Sequence, residues 1–320
     1  MDRGRGSGQV APAWRRRLAS TKICLVEVEN VIERVWPGRR PPFEPLGGGI
    51  TNHNFKVVVD GQAYVLRIGG ADTELLGIDR RAEQAAARMA AGIGVGPEVY
   101  AVVEPEGFLV TRFIEGRPVP PESMRSQETI EQLAPAFRAI HEGPPIPSRF
   151  DSHRVVESYA QVAEDRGVPM PDDFAWARSV AQTIETARGA QPLVPCHNDL
   201  LNANFIHDGQ RIRIVDWEYA GMGDRFFDLG NFSIKHEYGV EHDELLLAAY
   251  FGVVRRPDLA SVRLMRFMGA FFEAMWGVVQ QGISQLDFDF KAYATENFAR
   301  LRAAAADPRF AGWLSEVSRS

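Results

Sequence analysis

The chain has 320 residues, of which 45% are hydrophobic and 24% are charged, and its formal net charge is -6 at pH 7. The length favours two lobes over one core, and the composition is typical of a soluble globular protein. The negative charge and the lack of a basic stripe argue against a nucleic-acid partner, and no apolar run is long enough to cross a membrane. Cys24 and Cys196 lack metal-ligand spacing, so we expect reduced thiols and a cytoplasmic protein.

The first part of the chain predicts a tail followed by a small antiparallel sheet. Residues 1–22 carry Gly, Pro, Ser and five Arg with little apolar content, which is typical of a disordered basic tail. A helical stripe of apolar residues follows and ends at Pro37-Gly38. Two alternating segments joined by Asp60-Gly61 then predict a β-hairpin, and two further strands are expected over 99–103 and 107–114. We therefore predict a nucleotide-binding lobe over residues 23–114.

Glycines before the hairpin are candidates for binding nucleotide phosphates. A flexible connector is the simpler explanation of three successive glycines, but their place ahead of a hairpin favours a flap over phosphates. The candidate residues of this flap are Gly48, Gly49, Thr51 and Asn52.

Two charged residues of the same lobe form a candidate phosphate-positioning pair. Arg67 lies on the second strand of the hairpin, where a cation can reach phosphates, and Glu83 lies early on a predicted helix. A solvent-exposed helix charge is the alternative explanation of Glu83. The segment 112–116 is the predicted hinge, where Arg112 and Ile114 would offer backbone groups to adenine.

Residues 115–320 predict a larger, mainly helical lobe that contains the catalytic stretch. Asp199 and Asn204 have the spacing D-x-x-x-x-N, and a strand-like run ends at Asp216. Phosphoryl transfer needs an acidic group that orients and deprotonates a hydroxyl, and oxygen ligands for magnesium. A two-residue turn at 208–209 would place Asn204 and Asp216 at neighbouring ends of paired strands. Asp228 is expected to be structural, binding loop backbone.

Four motifs together resemble one family. They are L-G-G-G-I-T-N-H-N-F-K-V, Y-V-L-R-I-G-G, H-N-D-L-L-N-A-N and I-V-D-W-E-Y-A-G-M-G-D-R-F-F-D-L-G-N. The chain resembles the choline/ethanolamine kinases, within the aminoglycoside phosphotransferase-like, protein-kinase-like fold, from residue 46 to about residue 301. The resemblance implies an α+β bilobal fold with a small antiparallel-sheet N-lobe and a larger, mainly helical C-lobe. It also implies the use of ATP and Mg²⁺, which bind between the lobes.

The resemblance assigns individual roles. It makes Asp199 the catalytic base and Asn204 and Asp216 the magnesium ligands. It makes Arg67 and Glu83 the pair that positions the phosphates.

Of the four candidate substrate residues, two match the family pattern and two depart from it. Tyr219 and Trp276 match the aromatic walls that hold a quaternary ammonium. A core residue on an amphipathic helix is the alternative explanation of Trp276. Glu273 stands where the family has a second tryptophan, and Lys235 stands near the place of an acid. A glutamate suits a cation that donates hydrogen bonds, whereas a lysine would repel a cation unless it points away.

We therefore expect a kinase of choline or a related amino alcohol such as ethanolamine. The alternatives are a kinase of another hydroxylated substrate, such as an aminoglycoside or thiamine, and a catalytically silent nucleotide-binding protein. The sequence does not indicate an oligomeric state.

Overall fold

The chain forms two compact units. The computed structural model describes residues 25–47, 52–70 and 73–319, so the predicted tail over 1–22 lies outside the described residues. The first unit comprises Met1–Gly70 and Tyr100–Phe113, and the second comprises Ala71–Val99 and Ile114–Ser320. Residues 71–99, placed in the N-terminal lobe by the sequence analysis, therefore group with the second unit.

The described residues form ten α-helices, three short 3-10 helices and ten strands. The helices are α1 Leu25–Val35, α2 Arg80–Gly92, α3 Gln127–His141, α4 Ser152–Asp165, α5 Phe174–Arg188, α6 Arg225–Lys235, α7 Val240–Phe251, α8 Arg256–Ile283, α9 Phe290–Ala305 and α10 Phe310–Val317. The strands are β1 Phe43–Pro45, β2 Asn52–Val59, β3 Gln62–Gly69, β4 Val99–Val103, β5 Phe108–Arg112, β6 Arg117–Pro118, β7 Leu193–Cys196, β8 Phe205–His207, β9 Ile212–Ile214 and β10 Gly221–Asp224. None of the described helices is long and apolar enough to cross a membrane.

The first unit contains a five-stranded antiparallel sheet in the order β1-β2-β3-β5-β4. β2 and β3 pair from Asn52 opposite Gly69 to Val59 opposite Gln62, which confirms the predicted hairpin. Its two turn residues, Asp60 and Gly61, both have positive φ, as a two-residue hairpin turn of this kind requires. Alternate side chains of these strands are buried and form a core that includes residues of α1, because one face of the sheet is apolar.

The second unit is built around α8, a 28-residue helix whose central part is buried. α8 packs against α4, α6 and α9. Two glycines permit the contact with α6: a Cβ on Gly230 would lie 2.7 Å from a backbone carbon of Met265, and a Cβ on Gly269 would lie 2.9 Å from Cα of Asn231. The backbones of α6 and α8 therefore approach closely, and side chains from the two helices can meet.

Two small sheets support the catalytic stretch. β7 pairs with β10, and β8 pairs with β6 and β9. His207 lies opposite Ile212, so residues 208–211 form a four-residue loop, and the predicted two-residue turn was wrong. The carboxylate of Asp208 explains the longer loop, because it accepts the backbone N–H groups of Gln210 and Arg211 at 2.9 and 3.0 Å.

Candidate active site

The loop that carries Asp199 is held by a buried carboxylate. Asp228 on α6 accepts the backbone N–H groups of His197 and Asn198 at 2.8 and 2.6 Å. Its Oδ2 also lies 3.1 Å from Nε2 of the buried His141. Asn198 has φ 66°, a conformation that its backbone bond to Asp228 stabilises. Asp228 thus has the structural role that the sequence predicted.

His197 joins the catalytic loop to the strand end that carries Asp216. Its Nδ1 accepts the backbone N–H of Asp199 at 3.2 Å, so its protonated Nε2 donates to the carbonyl of Val215 at 3.0 Å. The ring is fully buried and packs against Trp217 with 4.6 Å between ring centroids. This buried imidazole sets the spacing between the backbone of Asp199 and the end of β9.

Asn204 and Asp216 are brought together, as the sequence predicted. The backbone N–H of Val215 donates to the carbonyl of Asn204 at 3.0 Å, and Asp216 follows at once with φ 69°. The side-chain amide of Asn204 donates to the carbonyl of Asp199 at 2.9 Å. Because this bond uses the Asn204 nitrogen, its Oδ1 is the atom that can face a cation. An amide oxygen beside a carboxylate is a donor set that suits Mg²⁺.

Lys235 lies inside the site. Its Nζ contacts Oδ1 of Asp199 and Oε1 of Glu273, both at 2.7 Å. Its side chain is 6% exposed, and burial lowers the pKa of Lys235, but the two carboxylates more than offset this effect. The pKa of Lys235 therefore lies above its ordinary value, and the ammonium stays charged. The sequence alone did not indicate whether the side chain of Lys235 points into the site or away from it.

A chain of contacting aromatic side chains leads to Glu273. Nε1 of Trp276 donates to the hydroxyl oxygen of Tyr219 at 3.1 Å, so two predicted substrate residues are in contact. The hydroxyl of Tyr293 donates to Oε2 of Glu273, and its ring lies 5.6 Å from that of Trp276. Burial raises the pKa of both tyrosines, which remain protonated.

Sequence reasoning missed Tyr293. The spacing of Phe290 and Tyr293 on one face of α9 is the signal that could have indicated it, because residues three apart lie side by side on a helix. Both rings contact Trp276.

Glu83 is bound within the second unit. Nη1 of Arg80 lies 2.6 Å from Oε2 of Glu83 and 3.9 Å from Oε2 of Glu218, and its Nη2 donates to the hydroxyl of Thr73 at 3.1 Å. Arg67 lies on β3 of the first unit, opposite Asn54. The pairing of Arg67 with Glu83 stays a prediction.

The other nucleotide candidates are partly described. Asn52 is the buried first residue of β2, whereas Gly48, Gly49 and Thr51 lie outside the described residues. Arg112 ends β5, where its guanidinium donates to the hydroxyl of Tyr64 at 3.1 Å and lies 4.8 Å from the ring centroid. Ile114 follows two residues later, before β6.

An antiparallel sheet followed by a mainly helical unit, with a D-x-x-x-x-N loop beside a strand-end aspartate, defines a phosphotransferase with the protein-kinase-like fold. The sequence pattern of the phosphotransferase enzyme family (APH) matches residues 42–265. A solved structure of a choline/ethanolamine kinase family protein from Mesorhizobium loti is 33% identical and has a TM-score of 0.80, with 92% of this chain and 99% of that chain covered.

Two further relatives agree. Ethanolamine kinase 2 of Rattus norvegicus is 26% identical over 82% of this chain and 76% of its own length. The choline kinase LicA from Streptococcus pneumoniae is 22% identical, with a TM-score of 0.73 over 86% of this chain and 99% of that chain, and it shares the fold. The chain belongs to the choline/ethanolamine kinases of the phosphotransferase enzyme family, which confirms the resemblance. It is a phosphotransferase with an alcohol group as acceptor.

Proposed function

We propose that the protein is an ATP- and Mg²⁺-dependent kinase that phosphorylates the hydroxyl of choline or a related amino alcohol. One arrangement carries this proposal: the carboxylate of Asp199 lies beside Lys235 and Glu273, while its backbone is tied through His197 and Asn204 to the end of β9. A candidate base is thus held between a group of substrate side chains and a pair of oxygen ligands.

Asp199 would act on the acceptor hydroxyl. Lys235 bonds to Oδ1 of Asp199, which leaves Oδ2 to accept the hydroxyl hydrogen. The acceptor oxygen then forms a bond to the γ-phosphorus as the bond from that phosphorus to the bridging oxygen breaks, the proton passes to Asp199, and ADP leaves. Orientation of the hydroxyl supplies much of the effect, since the geometry of attack is strict.

The magnesium site would consist of Asn204 and Asp216. Their oxygen atoms are the hard ligands that Mg²⁺ prefers, and both residues are held by backbone bonds around Val215. Magnesium, when bound, offsets negative charge on the phosphates.

The nucleotide contacts are proposed from the sequence. Arg67 and Glu83 would position the phosphates, and the segment that contains Gly48, Gly49, Thr51 and Asn52 would cover them. The backbone at Arg112 and Ile114 would bind adenine. A cytoplasmic location also stays a prediction.

A cationic acceptor is proposed from the side chains around Glu273. Tyr219 and Trp276 would offer ring faces, and Glu273 would offer a carboxylate, a combination suited to a small organic cation. The names of the relatives, ethanolamine kinase and choline kinase, support the same class of acceptor.

The proposal is tested by measuring ADP formation from ATP and Mg²⁺ with choline, ethanolamine, thiamine and an aminoglycoside in parallel. We expect turnover with an amino alcohol, and the variants Asp199→Asn and Asp216→Asn should lower kcat by about 10²–10⁴-fold while they stay folded. The matched control is Asp287→Asn, at an exposed acid after α8. Wild-type activity in a folded Asp199→Asn protein, or transfer to thiamine or the aminoglycoside alone, would contradict the proposal.

A further inference from the structure

We propose that Lys235 and Glu273 set the acceptor specificity of this site, so that it favours an amino alcohol whose ammonium retains at least one N–H over a quaternary ammonium. This inference rests on the proposed kinase function and narrows its acceptor. It follows from the place of the two side chains in the structure: the ammonium of Lys235 contacts the carboxylates of both Asp199 and Glu273.

The two residues form one connected group with the candidate base. A single ammonium, Nζ of Lys235, contacts Oδ1 of Asp199 and Oε1 of Glu273 at 2.7 Å each. The carboxylates of Asp199 and Glu273 therefore lie no farther apart than two such contacts allow. Lys235 ends α6 and Glu273 lies on α8, and the two helices approach closely at Gly230 and Gly269.

The charge of this group is small. Two carboxylates and one ammonium sum to a single negative charge, since the pKa of Lys235 is raised and the lysine stays protonated. The group still attracts a cation, which argues against an anionic acceptor. The attraction depends strongly on position, because Coulomb energies fall with distance and Lys235 opposes Glu273.

The attraction between this group and a cation favours an ammonium that can donate a hydrogen bond. An ammonium that donates an N–H to Glu273 comes within about 2.7–2.9 Å of a carboxylate oxygen and can stay farther from Nζ of Lys235. The methyl groups of a quaternary ammonium keep its nitrogen farther from that oxygen, so the attraction by Glu273 and the repulsion by Lys235 nearly cancel. The ring faces and the single net negative charge of the group would then hold such a cation, without a direct hydrogen bond to Glu273.

The carboxylate of Glu273 can accept a hydrogen bond from one more donor. Lys235 contacts its Oε1, and the hydroxyl of Tyr293 donates to its Oε2. A carboxylate has about four acceptor positions, so an acceptor N–H can be added without loss of either contact. A short amino alcohol would place its hydroxyl at Oδ2 of Asp199 and its ammonium at Glu273. It would thus bridge the same two carboxylates as Lys235.

The test is a methylation series on the intact protein. The specificity constant kcat/KM is measured with ATP and Mg²⁺ for ethanolamine, N-methylethanolamine, N,N-dimethylethanolamine and choline. The acceptors gain methyl groups in single steps, and the last step removes the final N–H of the protonated amine. We expect kcat/KM to fall at least tenfold at this last step, and less at each earlier step.

Two variants test whether Lys235 and Glu273 cause the preference for ethanolamine over choline. Glu273→Gln removes the charge at nearly constant shape, and the ratio of kcat/KM for ethanolamine to that for choline should fall at least fivefold. Lys235→Met removes the opposing ammonium, so this ratio should also fall, with a lower kcat for every acceptor because Asp199 loses its positioning contact. Glu296→Gln on the exposed face of α9 is the control, and its ratio should equal that of the wild type.

Each result decides the proposal. If the wild-type protein has the same kcat/KM for choline as for N,N-dimethylethanolamine, the proposal is overturned, and that measurement needs no variant. An unchanged ratio in folded Glu273→Gln and Lys235→Met proteins, checked by thermal unfolding, would also overturn it. Phosphate transfer to none of the four acceptors would overturn the proposed function itself, whereas transfer indifferent to methylation refutes only the specificity assigned to Lys235 and Glu273.

Discussion

The carboxylate of Asp228 accepts the backbone N–H of Asn198 at 2.6 Å, although thirty positions separate the two residues in the chain. The same carboxylate accepts the N–H of His197, and Asp228 is 1% exposed. We expect Asp228→Asn to lower the free energy of unfolding by about 3 kcal/mol, because the new amide places a donor against a buried donor. Urea unfolding measures this loss. Asp287→Asn is the exposed control, and equal stability of the two variants would contradict the role of Asp228.

Asn204 links the base to the candidate metal site through its bond to the Asp199 carbonyl. We expect Asn204→Ala to raise the Mg²⁺ concentration for half-maximal activity by about tenfold to hundredfold, because an oxygen ligand and the bond that orients it are lost together. A magnesium titration at saturating ATP measures the change. Asn202→Ala removes a neighbouring amide that donates to Val119 instead, and it should leave the magnesium requirement unchanged. An unaltered requirement in Asn204→Ala would remove Asn204 from the metal site.

Arg80 contacts two buried acids, Glu83 and Glu218, whose side chains are each 3% exposed. We expect Arg80→Ala to lower the free energy of unfolding by about 2 kcal/mol, less than for a fully buried pair because the arginine is itself 21% exposed. Chemical denaturation compares it with Arg81→Ala, a change at the next and exposed residue of α2. If the two variants unfold at the same denaturant concentration, the contacts of Arg80 contribute nothing to stability.

Burial, together with the charge of Lys235, lowers the pKa of His236 to about 4, although the bond to the carbonyl of Leu200 opposes this shift. Above about pH 6.5, His236 is mainly neutral in both the folded and the unfolded protein. Below that pH, His236 of the unfolded chain takes up a proton at a higher pH than His236 of the folded protein. Stability is therefore expected to fall as the pH drops, by about 2 kcal/mol from this residue between pH 6.5 and 5.

Unfolding free energies at several pH values check this expectation in the wild type and in His236→Gln, whose amide can still donate to the carbonyl of Leu200. The variant should lose less stability on acidification. His207→Gln, at a partly exposed histidine of β8, is the control. Parallel pH profiles for the wild type and His236→Gln would refute the contribution.

The catalytic stretch could be predicted because its parts are local. Asp199 and Asn204 lie five positions apart, and a hairpin of short strands returns the chain to Asp216, so neighbouring residues determine the geometry. The predicted length of the loop between β8 and β9 was wrong because the side chain of Asp208 accepts two backbone N–H groups, and a dipeptide pattern does not show these bonds. The strands β7 and β10 were missed because each has four residues and gains its partner from a distant part of the chain.

By itself, the sequence determined the class of the protein: a sheet of alternating strands, a helical remainder, and an acid, amide and acid spaced for phosphoryl transfer. Periodicity and motif spacing are properties of residues that are close in the chain, so they can be recognised without knowledge of the fold. The packing of α6 against α8 decided that Lys235 turns inward onto Asp199 and Glu273. That contact depends on two glycines at a helix crossing and on three residues separated by dozens of positions, and only tertiary structure brings such residues together.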